Sequence, residues 1–70
     1  MTRAYRVSKK AEDILIGDKV YGWSFRRDEV RETAARVLDW KEKQGKVMIT
    51  TEDWTILVHP EMLMVVEEVA

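Results

Sequence analysis

Val47-Met48-Ile49-Thr50-Thr51-Glu52-Asp53-Trp54-Thr55-Ile56-Leu57-Val58 is the stretch that decides the fold. Two runs rich in β-branched and aromatic residues flank Glu52-Asp53, the composition of a strand, a tight turn and a second strand. A two-residue turn there pairs Thr51 with Trp54, Ile49 with Ile56 and Val47 with Val58. Side chains alternate between faces along a strand, so all six fall on one side of the hairpin.

Carried backwards, the same register meets an earlier turn at Gln44-Gly45, where glycine supplies the permissive backbone that tight hairpins demand. Pairing Lys43 with Lys46 then sets Trp40 opposite Ile49 and Leu38 opposite Thr51. Trp40 and Leu38 are expected on the apolar face, and Val37 and Met48 on the reverse. Residues 28–44 also support a second reading. Val30, Ala34, Val37, Leu38 and Lys41 recur at helical spacing, Glu32 and Arg36 form an i,i+4 pair, and Gly45 would stop a helix. The expected fold is mainly β; the alternative is α+β, with one helix at 28–44 packed on an antiparallel sheet.

Towards the N-terminus, Ala4-Tyr5-Arg6-Val7 forms a short strand, and residues 1–10 are read as a mobile arm or an edge strand. Ile14-Leu15-Ile16 runs into Gly17-Asp18, a turn that feeds the next strand through Val20 and Gly22. Gly17 takes positive φ at little cost, and Asp18 can bond nearby backbone groups. After His59-Pro60, residues 62–66 form a closing strand, with the proline at its boundary. Met62, Met64 and Leu57 are assigned to the second face of their strands.

The run Ile14-Leu15-Ile16-Gly17-Asp18-Lys19-Val20 resembles the strand entry of small Src-homology-3-like barrels, including KOW-type modules. There a leucine-x-x-glycine-aspartate-x-valine segment leads into the first barrel strand. The downstream order is similar too: Arg36-Val37-Leu38, the Gln44-Gly45 turn, two strands about a tight turn, then Pro60 and a closing strand. The layout, over residues 12–67, also resembles that of short proteins of actinobacterial phages and their hosts. Glu52-Asp53-Trp54 departs from the Asp-Gly turn common in such proteins. The resemblance implies a five-stranded barrel, a phage-encoded protein acting on a host protein in the host cytoplasm, and no catalytic residues.

Seventy residues fit one domain, 1–70. A chain this short buries only about 60% of the surface its unfolded form exposes, so residues given to a deep cleft are lost to the core. That weighs against an enzyme. The absence of cysteine removes disulfides, thiol chemistry and Cys-containing zinc sites. His59 is the single histidine, expected at a strand end on the surface or bonded to backbone. Neither Ser8 nor Ser24 lies in a nucleophile-elbow pattern, and Gly17, Gly22 and Gly45 make no phosphate loop. No metal or other cofactor is expected. No stretch reaches the roughly 20 apolar residues of a membrane span, so the expectation is a soluble, cytoplasmic protein.

Binding remains. Trp23-Ser24-Phe25-Arg26-Arg27 sets two aromatics beside two arginines in a connection between strands, and Arg31 extends them. Trp23, Phe25, Arg26, Arg27 and Arg31 are the expected partner-binding residues. A protein partner is the favoured reading, with homodimerisation through an edge strand as its simplest form. Nucleic acid bound by the 23–31 loop is the alternative, since aromatics stack on bases and arginines meet phosphates. Asp28, Glu29 and Glu32 dilute that field, and a pI of about 5.8 is unlike that of nucleic-acid binders. Residues 1–36 carry nine Lys/Arg against six Asp/Glu, and residues 37–70 three against seven, an asymmetry that hints at a charged face.

Overall fold

The structure, a computed structural model, describes residues 3–24 and 28–69, with the backbone alone described for Trp23, Ser24 and Arg31. Six strands form one antiparallel sheet: β1 (Ala4–Lys10), β2 (Lys19–Ser24), β3 (Glu29–Lys43), β4 (Lys46–Thr51), β5 (Thr55–Val58) and β6 (Leu63–Val69). Their order is β1-β6-β2-β3-β4-β5. The mainly β expectation holds. The expected count of five does not, because Ala4–Lys10 pairs along β6 as an additional edge strand.

No α-helix forms at 28–44, where residues 29–43 are one continuous strand. Its first half pairs with β2 and its second half with β4, so β3 joins the two halves of the sheet. The hairpin register is as expected: Lys43 lies opposite Lys46, Trp40 opposite Ile49, Ile49 opposite Ile56 and Val47 opposite Val58. Gln44 and Gly45 have φ of 52° and 76°, the paired positive values of a primed turn, whose twist matches the strands.

One step along β3 the expectation fails. A bulge between Val37 and Asp39 inserts an extra residue, and Thr51 faces Val37 instead of Leu38. Val37 is 1% exposed and belongs to the core, whereas Leu38 is 54% exposed. A single inserted residue exchanges the faces of everything beyond it, which reverses both assignments. The bulge is clamped by the turn before β2: Gly17 N–H donates to Val37 O at 2.9 Å, and Val37 N–H to Asp18 O at 2.8 Å. Gly17 has φ of 98°, and Asp18 Oδ2 accepts from Leu15 N–H and Lys9 Nζ, each at 3.0 Å.

The core draws on both halves. Val66, Val20 and Ala35 form one cross-strand row, and Trp40, Ile49 and Ile56 another. Val20, Val37, Val47, Ile49, Met64 and Val66 belong to one buried cluster with Ala11 and Ile14. Met64, assigned from sequence to the second face, is 7% exposed and points inward, because β6 alternates Met64 and Val66 in against Leu63 and Val65 out. A single 3-10 turn at Ala11–Asp13 covers this core. Ala11 O accepts from Trp40 Nε1 at 3.0 Å, and Ala11 N–H donates to Met62 O at 2.9 Å.

Candidate functional site

Beside β5 the surface opens into an apolar groove of about 330 Å³, lined by Tyr21, Gly22, Val30, Trp54, Thr55, Ile56 and residues 62–65. Each wall follows from a local feature. Thr51 builds the turn that presents Trp54: its Oγ1 accepts from Asp53 N–H at 3.2 Å and Trp54 N–H at 3.0 Å, and donates to Trp54 O at 2.9 Å. Trp54 then lies against Gly22, where an added Cβ would stand 3.0 Å from Nε1 and 3.1 Å from Cε2. A glycine inside a strand often marks such a close approach, and the β2–β3 register shifts at this point.

The opposite wall comes from the β5–β6 connection. Met62 N–H donates to His59 O at 3.0 Å, closing the turn that contains Pro60. Met62 and Leu63 are left 43% and 64% exposed on the rim. His59 is exposed as expected, and its Nδ1 accepts from Glu61 N–H at 3.2 Å, which makes it a turn residue. Among the described residues no group of three or more His, Cys, Asp or Glu is arranged to hold a metal ion.

On the outer face of β1, β6 and β2, which also carries Leu63 and Val65, the polar groups around Glu67 are paired with one another. Arg6 lies 4.3 Å from the Tyr21 ring centroid, Tyr21 OH donates to Glu67 Oε1 at 3.3 Å, and Lys19 lies 3.8 Å from Glu67 Oε2. A shallow depression there sets Lys19 and Arg36 against Glu32, Glu52 and Glu67. Among these described residues cations and carboxylates are mixed, which offsets their fields.

Of the expected binding residues, Phe25, Arg26 and Arg27 lie outside the described residues. Trp23 and Arg31 are placed in β2 and β3, with their side chains outside the description. Trp23 pairs with Val30 and Ser24 with Glu29, and Gly22 and Val30 line the groove. Trp54, Leu63 and Gly22 join the candidate site only through the fold. Gly22 between two aromatics inside a strand was the signal available for them. Compared with family models, curated proteins and solved structures, the chain has no significant match in any of the three.

Proposed function

We propose that the chain is a small, non-enzymatic protein-interaction module, of the small-barrel kind, that seats apolar side chains of a partner in the groove beside Trp54. One observation carries this: Met62 and Leu63 stand exposed on the rim of an apolar groove instead of closing it. Methionine adapts its shape to varied contacts, which suits such a rim. The favoured expectation of a protein partner is kept, and the contact surface extends from the 23–31 connection to the groove. A partner belonging to a bacterial host follows from the resemblance to phage proteins alone.

Pairing among the described cations favours protein over nucleic acid. Lys9, Lys19, Arg36 and Lys41 each lie within 4 Å of a carboxylate. The test is a pull-down comparing the unchanged chain with Leu63→Asp and with Lys43→Ala, an exposed position beside the Gln44-Gly45 turn and outside the groove lining. Leu63→Asp should keep the fold, because Leu63 is exposed, and lose the captured protein; Lys43→Ala should retain it. Equal capture by all three would refute the groove as the contact surface. Binding to DNA or RNA that weakens steeply with salt would favour the nucleic-acid alternative instead.

A further inference from the structure

We propose that β5 accepts an extended segment of the partner as an added strand, and that this segment alternates apolar with basic residues. The proposal rests on the docking reading above and specifies its occupant. β5 ends the sheet order and pairs only with β4 among the described residues. The phase of its hydrogen bonds is fixed by Thr51 N–H, which donates to Trp54 O at 2.7 Å. Antiparallel ladders alternate, so Ile56 and Val58 face β4, while Thr55 and Leu57 turn their N–H and C=O groups to the open side. Those backbone groups are a template for an extended chain. Thr55 and Ile56 also line the groove, which places a receptacle for side chains next to the open backbone.

The other end of the sheet is guarded. β1 carries Arg6, Lys9 and Lys10, and charge on an edge strand discourages pairing. β5, Thr-Ile-Leu-Val, has none.

Charge selects the occupant. Residues 52–62 hold Glu52, Asp53 and Glu61 and no Lys or Arg; Arg36 lies 3.8 Å from Glu52, so Asp53 at one end of β5 and Glu61 at the other carry the acidic character. Two copies of this chain pairing antiparallel about the middle of β5 would set Thr55 against Val58. The Glu52-Asp53 turn of each copy would then lie beside the other copy's turn at Pro60-Glu61, bringing carboxylates near carboxylates. Like charges brought close repel each other. The same carboxylates favour a strand carrying lysine or arginine. The edge-strand homodimer expected from sequence is therefore the weaker occupant.

The probe is a synthetic peptide of alternating lysine and valine, added to the isotope-labelled full chain and followed by amide NMR and hydrogen exchange. The expected result is slowing of exchange at Thr55 and Leu57 by about tenfold or more, with resonance shifts at Met62 and Leu63. A glutamate–valine counterpart should do neither. Thr55→Pro, which removes one outward N–H at the first residue of an edge strand, should keep the fold and lose binding. Equal binding by Thr55→Pro, slowing confined to β1, or no binding would overturn the proposal. Equal effects from the glutamate–valine peptide would overturn its basic character. Shifts in the groove with Thr55 and Leu57 unslowed would overturn strand addition while leaving groove docking standing.

Discussion

Replacing Thr51 by valine isolates the hydroxyl that holds Trp54 in place. Valine keeps the shape and β-propensity of threonine and removes one oxygen. Two N–H groups, of Asp53 and Trp54, lose their acceptor, and Trp54 O loses a donor. A net hydrogen bond is worth about 1 kcal/mol. Asp53 is exposed and its N–H can turn to water, so the lasting loss centres on the half-buried Trp54. Against it stands about 0.8 kcal/mol for the added buried methyl-sized group. The expected net cost is about 1–2 kcal/mol, against a total stability of about 4–10 kcal/mol for a chain of this length. Melting should fall by roughly 5–15 °C. Thr51→Ser keeps the hydroxyl and loses a methyl, so its cost should be smaller, about 0.8 kcal/mol. Thermal and urea denaturation followed by tryptophan fluorescence reads both variants. Thr51→Val as stable as the unchanged chain, or more stable than Thr51→Ser, would refute this role for the hydroxyl.

Gly22→Ala should push the Trp54 ring into the groove, at about 1 kcal/mol of overpacking, and shift the Trp54 Nε1–H resonance; an unmoved resonance would contradict the contact. Val37→Ala should cost about 2 kcal/mol and Leu38→Ala less than about 0.5 kcal/mol in urea titrations, and the reverse order would place the bulge elsewhere. Trp40→Phe removes the donor to the buried Ala11 carbonyl and should cost about 1–2 kcal/mol by the same measurement.

The β4–β5 hairpin could be read in the sequence because two tight turns and one period agree on a single register. Trp40 opposite Ile49 followed from that register without any distant contact. Val37 and Leu38 could not be separated, because both are apolar and strand alternation survives with either one inward. What separates them is the bulge, clamped by backbone bonds from Gly17 and Asp18, nineteen or twenty residues away in the chain. Met64 was misassigned for a related reason: its face depends on pairing between β6 and both β1 and β2, which no turn near it fixes. The groove was less legible still. It depends on Trp54 meeting Gly22 across the fold, and only the glycine's position within a strand hinted at it.

The most direct measurement is amide hydrogen exchange on the full chain alone, resolved by residue along β5. Ile56 and Val58, bonded to β4, should exchange at least about tenfold more slowly than Thr55 and Leu57, whose N–H groups face the open edge. Equal protection at all four positions in dilute solution would mean that this edge is already covered, and would contradict an open docking strand beside the groove.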